Sequence, residues 1–208
     1  MNRILIYCEG PSEETFINQI LVPYFLPYDI LLTAIPFRGV SKYSILRKNL
    51  ISLARHNPTA VITTMIDYYG LPSETPGYSI ADTNDVFKQA ENVESNIKAD
   101  LGVGNLYPNL LMHEFEALLF SKPECFSFCN IKAADVQKLR LIRSKYITPE
   151  HINNSKNTAP SKRILEVFPQ YNKILDGYNV AKHIGLDNIR SECKHFNQWI
   201  ENMLRMFA

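Results

Sequence analysis

The chain has no apolar stretch approaching the roughly 18 residues needed to span a bilayer. Its first residues also lack the charged-then-apolar layout of a secretory leader. No membrane span is expected, and the expected location is the cytoplasm. Cysteine is scarce and scattered, at Cys8, Cys125, Cys129 and Cys193. Only Cys125 and Cys129 are close together, and neither a second close pair nor a nearby His pair completes a zinc set, so reduced, buried thiols are expected. A charge excess of either sign is absent too, because 22 Lys and Arg against 21 Asp and Glu leave a net charge of +1. That balance does not exclude nucleic acid, for which a local basic cluster suffices. Dinucleotide, Walker-type, nucleophile-elbow and His-Glu-x-x-His motifs are all missing, so the chain is not expected to hydrolyse ATP by itself. Low-complexity tracts are missing as well. With 208 residues, 46% hydrophobic and 21% charged, the chain fits one large domain, or a domain with an appended subdomain.

What is present is a regular alternation of strand and helix patterns. Arg3 to Cys8 reads as a buried strand and Glu13 to Leu21 as a helix, with Ser12 as its N-cap. Asp29 to Pro36 gives a second strand and Ser41 to His56 a helix, with Ile45, Leu46, Leu50, Ile51 and Leu53 recurring at helical spacing. The β-branched run Val61 to Asp67 reads as a strand buried on both faces, as in a parallel sheet. Tyr68 to Thr83, rich in Gly and Pro, reads as a long loop of the kind that closes over sites. Asp85 to Leu101 reads as a helix, and Asn105 to Met112 as a fourth strand interrupted by Pro108, at an edge or a bulge. Four such alternations indicate an α/β fold with a mostly parallel sheet of about four strands flanked by helices.

Beyond Phe120 the strand pattern fades. Helices are expected at Ala134 to Ser144, Pro160 to Val167 and Tyr178 to Ile184, the last ending at Gly185 as a left-handed cap. A stripe of Phe196, Trp199, Ile200, Met203 and Leu204 marks a final helix. The expected organisation is an α/β domain over residues 1–120 and a helical subdomain over 121–208, packed on it.

Acids end the strands. Glu9 follows the first, Asp67 closes the third, and the segment His113-Glu114-Phe115-Glu116 follows the fourth. Ligands of open α/β sheets bind beyond the carboxyl ends of the strands, and hard cations such as Mg²⁺ take one or two carboxylates plus water and phosphate. Each acid also has a plainer reading. Glu13 and Glu14 in a first helical turn favour the helix dipole, Asp67 suits a turn, and a lone His113 is more often structural. Glu114 and Glu116, two residues apart, cannot share one helical face, so one faces the site and the other caps. Lys132, Lys138, Arg140, Arg143, Lys145, Lys156, Lys162 and Arg163 accumulate in the second half, as a nucleic-acid face or a solvated helical surface.

The run Ile6-Tyr7-Cys8-Glu9-Gly10-Pro11-Ser12-Glu13-Glu14 resembles the first motif of Toprim domains, found in topoisomerases, primases and overcoming-lysogenization-type nucleases. Their second motif, Asp-x-Asp, corresponds to Asp67-Tyr68-Tyr69, in which Tyr69 replaces the second acid. Over nearly its whole length the chain is similar to a domain-of-unknown-function family of small bacterial Toprim-like proteins often encoded beside a P-loop ATPase. The matching segments are Glu9–Glu14, Asp67–Pro72, His113–Phe120, Thr158–Arg163, Ile184–Leu186 and Ile189–Arg190. The resemblance implies a Toprim/Rossmann-like fold and a Mg²⁺- or Mn²⁺-dependent nuclease of phage defence, with nucleic acid as substrate and the ATPase as partner. It implies Glu9 as metal ligand or general base, Asp67 as principal metal ligand, and Glu13 as a further ligand. Glu116 or Glu114 would supply the carboxylate that Tyr69 does not, and Lys162 and Arg163 would hold a phosphate. Tyr68 and Tyr69 would either stack on a base or anchor the loop. A catalytically degenerate binding or regulatory subunit of an ATPase complex is the alternative, and a hydrolase of small phosphorylated molecules a third.

Overall fold

The computed structural model describes residues 2–37, 39, 42–78, 85–152 and 158–207. The expected helix start at Ser41, the end of the long loop beyond Tyr78, and Lys156 lie outside the described residues. The chain divides into two compact units, Met1–Leu111 with Met203–Ala208, and Met112–Asn202. No helix among the described residues is long and apolar enough to cross a membrane.

The first unit is built on a five-stranded parallel sheet with the order β2-β1-β3-β4, and β5 continuing alongside β3. β1 (Asn2–Cys8) is buried from Ile4 to Cys8 on both faces, as an interior parallel strand requires. β2 (Ile30–Pro36) pairs with it on one side and β3 (Val61–Asp67) on the other. The pattern expected around Pro108 resolves into two short pieces, β4 (Leu106–Tyr107) and β5 (Leu110–Leu111). Pro108 has no N–H for the ladder, and the gap is bridged from β3. There the Thr64 hydroxyl donates to the Asn109 carbonyl at 2.6 Å and accepts the Asn109 N–H at 2.9 Å.

Helices connect the strands. α1 (Pro11–Phe16) runs through a π-helical turn, Ile17–Leu21, into α2 (Val22–Phe25). Its N-cap is Gly10, a correction to the expected Ser12. Pro11 at the first helical position has φ already set and no N–H to satisfy, which moves the helix start two residues earlier. α3 (Tyr43–His56) buries Tyr43, Leu46, Leu50 and Ala54. Ile45 points outward, at 47% exposure, because the buried stripe follows the 43-46-50-54 row. α4 (Val86–Leu101) is capped by the Asp85 carboxylate, which accepts from the N–H groups of Phe87 and Lys88. Gly102 ends it in the left-handed conformation at φ 60°.

The second unit contains no strand among its described residues. Two runs of 3₁₀ turns, Phe115–Ser121 and Pro123–Cys129, precede α5 (Ala133–Arg143). α6 (Pro160–Val167), α7 (Leu175–Ile184), α8 (Leu186–Glu192) and α9 (Lys194–Arg205) follow. α7 starts three residues before the expected Tyr178, because the Asn172 side chain accepts the N–H groups of Ile174 and Leu175 and turns the chain there. Gly185, expected as a left-handed cap, instead has φ 79° and ψ 144°. That region is essentially open to glycine alone, and it lets α8 begin at the next residue. Buried Glu150 accepts the N–H groups of His195 and Phe196, closing the start of α9.

Candidate active site

β1 and β3 run parallel with Cys8 opposite Met65. Continuing that register, Glu9 is level with Ile66, and Asp67 with Gly10. Side chains alternate along parallel strands, so Glu9 belongs to the face of Ile66 and Asp67 to that of Met65. A narrow crevice agrees for Glu9, its walls being Glu9, Phe37, Leu46, Ile66, Gly70, Leu71 and Pro72, with no room for a water molecule. The two acids thus flank the strand ends from opposite faces. A ligand shared by them has to sit above the strand tips, where the fold class places ligands.

The loop after Asp67 closes directly on Glu9. A Cβ added to Gly70 would lie 2.9 Å from Glu9 Oε2 and 3.3 Å from Oε1. Gly70 therefore lets backbone pass where any side chain would push the carboxylate aside. The obstacle is the tip of a flexible side chain, so Gly70→Ala should change unfolding free energy by less than about 1 kcal/mol. It should lower any Glu9-dependent activity about tenfold, since small displacements of a reacting group are costly. Thermal unfolding and turnover measured on the same preparation test this, and a large stability loss with unchanged activity would refute it.

Glu13 Oε2 accepts the Gly10 N–H at 2.9 Å. Gly10 has no side chain to reciprocate, so this is half of a capping box and it fixes the turn that carries Glu9. Burial, followed by the charges of Glu13 and Glu14, pushes the Cys8 thiol up to about 12. Cys8 therefore stays protonated at the end of β1, chiefly because it is buried. Tyr68 is buried against Tyr69 (5.8 Å, edge to face) and Tyr78 (5.2 Å). Of the two roles left open for it, this packing is that of a loop anchor.

The remaining candidates lie in the second unit. Glu114 Oε2 accepts the Ser161 N–H at the start of α6, 3.0 Å away. The Ser161 N–H at the start of α6, beside Lys162 and Arg163, is thereby taken by a carboxylate. Glu116 is buried, and its Oε1 lies 3.1 Å from Lys173 Nζ. Burial raises the Glu116 pKa, while Lys173 opposes the shift. Arg163 donates to the Thr158 carbonyl and the Tyr146 hydroxyl, whereas Lys162 is exposed. Within the basic cluster, Lys138 pairs with Asp135, Arg140 with Glu124 and Arg143 with Glu192. These are the pairings of a solvated helical surface, worth little individually.

Among the described residues no three His, Cys, Asp or Glu side chains form a group ready to hold a metal ion. Glu9 and Asp67 nevertheless offer hard oxygen donors from adjacent strands, and Mg²⁺ is commonly held by one or two carboxylates with water and phosphate completing its shell. The donor set fits one such ion better than a pair. Sequence reasoning missed Phe37, which lines the Glu9 crevice from just beyond β2, since nothing distinguishes it locally from a core aromatic.

Residues 8–204 match the family described as "Domain of unknown function (DUF4276)". The chain belongs to this family. No curated protein matches it. Among solved structures, this DUF4276 chain is similar to the C-terminal region of the Xanthomonas campestris pv. campestris OLD protein. The similarity covers 98% of both chains, at 14% sequence identity and a TM-score of 0.41.

Proposed function

We propose that the chain is a Toprim-like, Mg²⁺- or Mn²⁺-dependent nuclease that hydrolyses nucleic-acid phosphodiesters, working in phage defence with a P-loop ATPase partner. The observation that carries this reading is the pairing of β1 with β3, which brings Glu9 and Asp67 to the tips of neighbouring parallel strands. Glu9 and Asp67 would hold the ion, which when bound neutralises phosphate charge and activates water. Glu9, held between Gly70 and the turn closed by Glu13, would accept the proton of a water attacking above the strand tips, outside its crevice. Asp67, on the other face, would contribute the second carboxylate to the ion above the strand tips, the charge that would draw the scissile phosphate there. The test is cleavage of single- and double-stranded DNA and RNA by the purified chain, with and without Mg²⁺ or Mn²⁺. Metal-dependent products support the reading, and none with any substrate in either metal refutes it for the isolated chain.

A second reading, a binding or regulatory subunit of an ATPase complex, is favoured by a different observation. Glu114 and Glu116, the acids that would replace the one missing at Tyr69, are engaged by Ser161 and Lys173. This reading predicts no specific binding of Mg²⁺ or Mn²⁺ in a calorimetric titration.

A further inference from the structure

Beside the Glu9 crevice, and sharing Phe37 as a wall with it, lies an open groove of about 450 Å³. It is lined by Tyr7, Phe37, Asn49, Ser52, His56 and Asn57, with apolar residues of β2 and α3. Its volume falls in the range of small-molecule sites, and its lining runs from the carboxyl ends of β1 and β2 to the C-terminal end of α3. We propose that this groove is a nucleobase-binding subsite. The assignment rests on the nuclease reading, and it names the part of the substrate held next to the reacting phosphate.

Three observations carry it. First, the groove has an aromatic platform. The rings of Tyr7 and Phe37 are stacked at 4.3 Å and 8°, and Tyr7 is buried while Phe37 is half-buried. Phe37 is thus held flat from behind with part of its surface left to the groove, the arrangement on which bases stack.

Second, the lining contains no carboxylate, so a phosphate attached to the base meets no repulsion there. The acids lie beyond Phe37, around Glu9.

Third, the polar groups leave hydrogen-bonding capacity for the edge of a base. Asn49 Nδ2 donates to the Tyr7 hydroxyl at 3.0 Å, and Asn57 Nδ2 donates to the Leu53 carbonyl at 2.9 Å. His56 Nδ1 lies 2.7 Å from the Ser52 carbonyl, which can only accept, so the proton sits on Nδ1. What remains is the carbonyl oxygens of Asn49 and Asn57 as acceptors, the second N–H of each of those amides as a donor, and Nε2 of His56. The edge of a nucleobase, which carries both donors and acceptors, can satisfy them.

The test is fluorescence anisotropy in EDTA, so that cleavage plays no part, using labelled deoxyadenylate, deoxythymidylate and abasic octamers. The adenylate octamer should bind roughly tenfold or more tighter than the abasic one, with the thymidylate octamer between them. Phe37→Ala should erase the difference, Phe37→Trp should keep it, and Asn57→Leu should weaken both base-bearing octamers relative to the abasic one. Equal affinity for base-bearing and abasic octamers, or a base preference that survives Phe37→Ala, overturns the proposal. Displacement of the adenylate octamer by AMP would show that a free nucleotide suffices, and no displacement that the base is read only within a strand. A chain that shows the base preference yet cleaves nothing with Mg²⁺ or Mn²⁺ retains the subsite and loses the nuclease reading. Cleavage without base preference does the reverse.

Discussion

Glu9→Gln and Asp67→Asn should each reduce Mg²⁺- or Mn²⁺-dependent cleavage of nucleic acid by roughly a hundredfold or more, with the fold unchanged. The magnitude is that of removing a proton acceptor or a charge from a reacting centre. Both substitutions keep side-chain size and remove only the negative charge and part of the acceptor capacity. Glu9 stands just past the end of β1, half-buried against the backbone of Gly70. Its amide analogue fills the same crevice, so packing around Leu46, Ile66 and Leu71 is retained. Asp67 begins the turn at Tyr68–Gly70 as its N-cap, and no cap hydrogen bond from its side chain is present. Asparagine is equally at home in that position. The measurement is the rate of product formation across a metal titration, with unfolding curves on the same samples. Full cleavage in both variants would remove the catalytic reading. Loss of activity together with loss of the folded state would not support it, and in that case Gly70→Ala, which leaves both acids in place, decides.

The parts of the fold that were legible are those in which a residue's own chemistry dictates its backbone. The run Ile4 to Cys8 and the run Val61 to Ile66 read as parallel strands because β-branched and aliphatic residues without alternation fit only a strand covered on both faces. Pro108 announced the break between β4 and β5, since it cannot join the ladder. Local competition was harder to read. Ser12 is the better capping side chain, yet Pro11 claims the first helical position, and the Glu13 carboxylate satisfies the N–H of the N-cap Gly10 instead. Gly185 was legible as a helix stop but not as an extended, positive-φ link, because glycine permits both and the start of α8 decides between them. The candidate site was legible only as residue types at strand ends. That Glu114 would be claimed by Ser161, 47 positions away, and Glu116 by Lys173 depends on tertiary contacts that no spacing reports. The approach of Gly70 to Glu9 belongs to the same class, although Gly70 had already stood out as a loop residue.

Lowering the pH from 7 to 5 should cost the second unit about 2 kcal/mol of stability through His113 alone, and His113→Asn should abolish that part of the loss. His113 is 3% exposed. Burial first, and then the neighbouring His151, hold its imidazole down at about 4, while a contact with the Glu150 backbone pulls weakly the other way. The folded state therefore keeps His113 neutral through the range in which an unfolded imidazole, with its ordinary value of about 6.5, takes up a proton. The unfolded state binds more protons across that window, so stability falls as pH drops from about 6.5 toward about 4. Buried Glu116 and Glu150 act in the opposite sense. Burial raises both carboxyls, so each favours the folded state as pH falls toward the ordinary carboxylate range. The comparison must therefore be between two chains that share those acids. Asparagine is the right replacement because His113 has φ 72°, a left-handed conformation that Asn adopts more readily than most residues. Trp199, the single tryptophan, is buried within the second unit, so its fluorescence during urea unfolding reports on the unit that contains His113. The wild-type curve should shift between pH 7 and pH 5 by about 2 kcal/mol more than that of His113→Asn. Parallel shifts in the two proteins would mean that the folded state tolerates a charged His113, and the buried neutral imidazole would have to be abandoned.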